Sequence, residues 1–188
     1  AEYIEVRNIL AVDTIDLSGV KFVGGLEYEF PLGLTLPAGE SCLVVRDLAA
    51  FSAIHGAGLA VGGVFANNTA LENAGERIVL EDAGGGIIRD FSYDDEGGWP
   101  EGPDGGGPSL VLINPTANPD HGDPASWRSS VSGDGSPGVD ESTPFASWAA
   151  IHGVLSIRED LDRDGLWVGI EYALGSDPNA SDPGAHPQ

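Results

Sequence analysis

Four carboxylates at fixed spacing are the residues best placed to do chemistry: Asp160, Asp162, Asp164 and Glu171. The segment DLDRDGLWVGIE, residues 160–171, fits D-x-[DN]-x-[DN]-G followed by five residues and Glu, a twelve-residue calcium loop. Calcium is a hard cation that takes six to eight oxygens at about 2.3–2.6 Å, so carboxylates at positions 1, 3 and 5 (Asp160, Asp162, Asp164) can converge on one ion. Gly165 at position 6 allows the sharp turn. Leu166 at position 7 would offer its backbone carbonyl, and Glu171 at position 12 both carboxylate oxygens. Val168 at position 9 carries no side-chain oxygen, so a water is expected there. Trp167 and Ile170 are expected to face the core and anchor the loop. Without the ion the four carboxylates repel one another, so calcium should stabilise the folded form.

Other candidate constellations are weaker. Asp94, Asp95 and Glu96 with Asp104 have no recognised ligand spacing and read as a solvated acidic loop. Asp120, His121 and Asp123 are bracketed by Pro119 and Pro124 and read as a turn. His55, His121, His152 and His186 have no nucleophile motif nearby, and no pair of carboxylates stands out as an acid and base across a cleft. The chain is therefore read as non-enzymatic.

These residues need elements to hold them. The chain has 188 residues, enough for one main domain and a short satellite. Tyr3-Ile4-Glu5-Val6-Arg7 alternates apolar and charged side chains, the period of a half-buried strand. Further strands are expected at 20–23, 26–30, 41–45, 77–80, 87–93 and 109–113, separated by Gly, Pro, Asn and Asp turns. Many short strands with such breaks predict an all-β sandwich. One helix is expected at 47–56, where Leu48, Phe51 and Ile54 recur at helical spacing and Gly56 ends the run. Trp99, in the loop GGWPEGPDGGGP, is either an exposed aromatic able to stack on a sugar or a plug at the end of the sandwich. The boundary is placed in the polar stretch 133–143, giving domains 1–139 and 140–188. Past it, Thr143-Pro144 predicts a helix start, with Phe145, Trp148 and Ala149 as its apolar stripe and Gly153 as its end.

Composition narrows the class of partner. The formal net charge is −22, with Lys21 the one lysine, and such a surface repels nucleic acid and anionic membranes. No run approaches the roughly 20 apolar residues of a membrane span. Cys42 is the single cysteine, so no intrachain disulfide exists; in Cys42-Leu43-Val44-Val45 it reads as a buried strand residue. The opening AEYIEVRN lacks the pattern of a signal peptide and reads as mature sequence.

The succession EYIEVRN, DLSGVKF, YEFPLGLTLPAGESCLVV and NAGERIVLEDAGGGIIRDFSYDD resembles the lamin tail domain, an immunoglobulin-like β-sandwich found in nuclear lamins and in secreted bacterial proteins. The resemblance covers about residues 1–139, and its most specific part is Tyr28 to Pro31 followed by Leu36-Pro37-Ala38-Gly39-Glu40. It implies an immunoglobulin-like fold and a role in adhesion or interaction, and supplies no catalytic residues. Bacterial members begin with a further strand ahead of the EYIE segment; the departure here implies a sheet edge able to take a strand from a second copy or a partner. The loop itself is of EF-hand type. Being single, it looks like the calcium loops of dockerin or thrombospondin type 3 repeats, and FASWAAIHG with EYALGSDP resembles a short C-terminal element of secreted bacterial proteins. The expectation is an extracellular or cell-surface structural module stabilised by calcium. The alternative is a carbohydrate-binding accessory module of a secreted hydrolase, with Trp99 and Tyr93 as contacts.

Overall fold

The computed structural model describes residues 1–141, 152–174 and 178–181. The chain divides into two compact units, Ala1–Glu141 and Ser142–Gln188.

The first unit is an all-β sandwich. One sheet is formed by β1 (Tyr3–Arg7), β6 (Ser41–Val45) and β7 (Val61–Val64), in the order β1-β6-β7. The other contains β3 (Lys21–Gly24), β4 (Tyr28–Glu29), β8 (Gly75–Glu81) and β9 (Ile87–Asp94), in the order β4-β3-β8-β9. Two short pairs complete the unit: β2 (Ile15–Asp16) with β5 (Thr35–Leu36), and β10 (Leu110–Leu112) with β11 (Trp127–Ser129). The two-residue strands leave too little periodicity to be read from sequence. Leu26 and Phe30, expected within one strand, flank β4 and are buried.

Strand period two explains the core. Ile4, Val6, Cys42 and Val44 point from the first sheet to Phe22, Ile78 and Leu80 of the second, with Leu26, Phe30 and Phe65 between. The odd-numbered Leu43 and Val45 point the other way, onto Phe51 of helix α1 (Leu48–His55). Because β6 is covered on both faces, its sequence is a continuous apolar run instead of an alternation. Burial pushes the Cys42 thiol above its ordinary pKa, as expected of an apolar strand position.

Helix α1 starts where Asp47 caps it, accepting from Ala50 N–H at 2.9 Å, and stops at Gly56, whose φ of +82° suits glycine. Of the apolar stripe expected on it, only Phe51 is buried; Leu48 and Ile54 are exposed. Residues at i, i+3 and i+6 drift by about 60° per step on a 3.6-residue helix, so one contact surface cannot hold all three. His55 sits at the helix end against Phe51, ring centroids 4.7 Å apart.

Asn8 ties the end of β1 to the neighbouring turns. Its side-chain amide donates to the Asp13 and Leu36 carbonyls at 2.8 and 2.9 Å, and its oxygen accepts from Leu10 N–H at 3.0 Å. The unit closes at Glu141, a buried carboxylate 2.9 Å from Arg128 that also accepts from Val131 N–H.

In the second unit, helix α2 spans Val168–Leu174. The helix expected around Phe145 and Trp148 lies outside the described residues.

Candidate metal centre

Local sequence builds the 160–171 loop. Gly165 N–H donates to Asp160 Oδ2 at 3.1 Å, Asp164 N–H to Asp162 Oδ1 at 3.2 Å, and Leu166 N–H to Asp164 Oδ1 at 2.8 Å. Each aspartate thus bends the backbone around itself, as short acidic side chains do in turns. The reversal requires positive φ at Arg163 (+62°) and Gly165 (+94°), the second being where the motif places its glycine.

The result is convergence. One carboxylate oxygen from each of Asp160, Asp162 and Asp164 lies within 4.8 Å of the other two, a cluster that could hold a metal ion. Asp160 Oδ1 and Asp162 Oδ2 are sealed from solvent and have no hydrogen-bond partner. Buried acceptors of that kind are costly unless a donor or a cation satisfies them. Oxygen-only donors suit a hard cation such as calcium or magnesium, not a thiolate- or imidazole-seeking metal.

Glu171 stands in the first turn of α2 with a residue exposure of 0%, and the cluster that the structure gathers holds the three aspartates without it. Leu166, Val168, Val154 and Pro178 are buried as well among the described residues of the unit. Backbone bonds from Val168 N–H to Glu159 O (2.8 Å) and from Gly169 N–H to Ile157 O (2.9 Å) bind the helix start to the chain entering the loop. Gly169 is required there, because an added Cβ would collide with Ile157.

The structure corrects the anchoring residues. Trp167 and Ile170, expected to face inward, are 55% and 46% exposed. Glu171 has to turn inward, and on a helix Val168 shares its face at i−3, whereas Ile170 is rotated by about 100°. The buried anchors are therefore Leu166 and Val168. The motif assigns position 7 (Leu166) a carbonyl ligand and position 9 (Val168) a water, and says nothing of the two side chains that pack inward.

Among the described residues no other group of three or more acidic, His or Cys side chains converges in this way. Asp94, Asp95, Glu96 and Asp104 form no metal-holding cluster, nor do Asp120, His121 and Asp123. Their carboxylates shape turns instead: Asp94 accepts from Asp95 and Glu96 N–H, Asp120 from Gly122 N–H, and Asp123 from Ala125 N–H. Those backbone bonds hold Asp94 below the usual carboxylate range.

Trp99 is not an exposed platform. It is 9% exposed and packs on Trp127 at 6.1 Å, and Trp127 stacks on Phe91 at 6.0 Å. Tyr93 gives its hydroxyl to Glu72 O at 2.7 Å, and burial pushes its pKa up, with the Glu76 carboxylate adding to the rise. Trp99 is thus a buried packing residue, and Tyr93 is half-buried against the core. Among the described residues no helix is long and apolar enough to cross a membrane. No protein-family model matches the chain, and no curated protein is significantly similar to it.

Proposed function

We propose that the 160–171 loop binds calcium and that the chain is a non-enzymatic, extracellular structural or interaction module related to bacterial lamin tail domains. The observation that carries the metal assignment is the pair of solvent-sealed, unpartnered oxygens of Asp160 and Asp162 inside a three-aspartate cluster. Asp160, Asp162, Asp164, the Leu166 carbonyl and Glu171 would be the ligands, in the order the motif sets.

Size supports the same reading. A unit of about 47 residues builds too small a core to be secure alone, and such units depend on disulfides, metals or partners. Residues 142–188 contain no cysteine, which leaves metal or association. A single loop of this type works at about 10⁻⁴–10⁻³ M calcium, the extracellular regime.

Self-association through the first sheet is the second element of the proposal. Glu2 O accepts from Arg46 N–H and Asn8 N–H donates to Glu40 O, so the even-numbered residues of β1 bond to β6. The backbone groups of Tyr3, Glu5 and Arg7 are turned outward along a terminal strand, the geometry that strand addition uses.

Calorimetric titration with calcium and mass measurement in solution with and without it test both elements. Absence of binding at millimolar calcium, or equal binding by an Asp160→Ala, Glu171→Ala double variant, would overturn the metal assignment. A monomer under both conditions would overturn the association.

A further inference from the structure

Beside the edge of β9 runs an open groove of about 360 Å³, walled on one side by Ile87, Ile88 and Arg89 and on the other by Asn118, Asp120 and His121. Its volume lies within the ~300–1,000 Å³ range of small-ligand sites. Phe91 joins groove and core: it lines the groove and packs on both His121 (5.2 Å) and Trp127 (6.0 Å).

The polar wall is held in place before any ligand arrives. Arg89 donates through Nη1 to the Ile88 carbonyl at 2.8 Å and through Nη2 to Asn118 Oδ1. Asn118 is itself fixed in a left-handed turn at φ +50°, its N–H on Pro115 O. His121 directs Nδ1 to Pro119 O at 2.8 Å, and Asp120 Oδ1 accepts from Gly122 N–H at 2.9 Å. Burial holds His121 below its ordinary pKa, so its ring is neutral near pH 7 and, with the Nδ1 proton on Pro119 O, Nε2 is an acceptor.

What remains free decides the ligand. Three of the five guanidinium N–H donors of Arg89 are unused, as are the Asn118 amide donors, while Asp120 Oδ2 and His121 Nε2 are acceptors. The lining therefore offers donors (Arg89, Asn118) together with acceptors (Asp120, His121), a mixture a polyol satisfies because every hydroxyl both gives and takes a hydrogen bond. Charge points the same way. Asp90 is held in a bidentate pair with Arg77 (2.6 and 2.7 Å), and the lining carries one further charge of each sign, Arg89 and Asp120. The groove is locally neutral on a chain of net charge −22, which favours neither an anion nor a cation. The Ile88 carbonyl is already taken by Arg89 and is not open to a partner strand.

We propose that this groove binds a neutral saccharide, with Arg89, Asn118, Asp120 and His121 as its hydrogen-bonding wall and Ile87, Ile88 and Phe91 as its apolar side. Neither Trp99 nor Tyr93 lines the groove.

The test is a two-dimensional amide NMR titration of the full chain, with and without calcium, against a panel of neutral mono- and oligosaccharides at millimolar concentration. Glucosamine and glucuronate serve as charged comparators. At least one neutral sugar should shift the Asn118 side-chain amide and the Trp127 indole N–H. Arg89→Ala should weaken that sugar about tenfold or more, as loss of a charge-assisted hydrogen bond does; Tyr93→Phe should leave it unchanged. The wild-type shift map keeps the test valid even if the arginine variant is less stable. No saturable shift with any neutral sugar, tighter binding of a charged comparator, or shifts centred away from residues 87–91 and 118–121 would overturn the proposal.

Discussion

Replacing Glu171 by Gln separates a metal ligand from a structural carboxylate, because the two roles predict opposite signs without metal. The substitution preserves the shape of a fully buried side chain while removing its charge. With a dissociation constant of about 10⁻⁴ M and 10 mM calcium, the wild-type loop gains roughly 2.7 kcal/mol from ligand linkage. Loss of the anionic ligand weakens the site by about 100-fold, to a constant near the calcium concentration, and the gain falls to about RT ln 2, or ~0.4 kcal/mol. In chelator the order should reverse: the variant removes a buried negative charge from a loop that also carries Asp160, Asp162 and Asp164, and should be as stable as wild type or more so. Thermal unfolding followed by Trp fluorescence and calorimetry, in chelator and in 10 mM calcium, reads all four values. Equal calcium-dependent shifts in wild type and variant would refute the ligand role, and a variant markedly less stable in chelator would make Glu171 a structural group.

Further expectations concern the sandwich. Asn8→Ala should cost about 1–3 kcal/mol in urea denaturation, since a buried carbonyl (Leu36), a part-buried one (Asp13) and an amide lose their partner; a change below experimental error would show that solvent replaces it. Gly63→Ala should destabilise by about 1–3 kcal/mol, because the added Cβ meets the Tyr28 ring, and pairing it with Tyr28→Ala should recover part of the loss. His121 is held below its ordinary pKa by burial. A base with a lowered folded pKa leaves the unfolded state binding more protons, so its contribution is intact above the unfolded value of about 6.5 and declines as pH falls through it to the folded pKa. An NMR titration placing His121 above 6.5 would contradict this.

Much of the metal loop was legible because its information is local. Ligand spacing, the position-6 glycine and the acidic turns lie within twelve consecutive residues, and each aspartate bonds to backbone two to five residues away. The longer strands were legible for a related reason: alternation in Tyr3–Arg7 and the unbroken apolar run Cys42–Val45 record which faces are covered. β7 was not, because Val61-Gly62-Gly63-Val64 reads as a break; its glycines are there to admit Tyr28 and Cys42, which come from elsewhere in the chain.

By itself, the sequence determined chemistry that depends on spacing: a twelve-residue oxygen-rich loop, a β-rich unit, a lone buried cysteine and an acidic surface. Tertiary structure decided direction. It turned Val168 inward and Trp167 and Ile170 outward, because the buried Glu171 sets the rotation of a one-sided helix. It also buried Trp99 against Trp127 and drew Arg89, Asn118 and His121 to one groove. A side chain's neighbours across the fold are set by packing between segments far apart in the chain, and no local period records them.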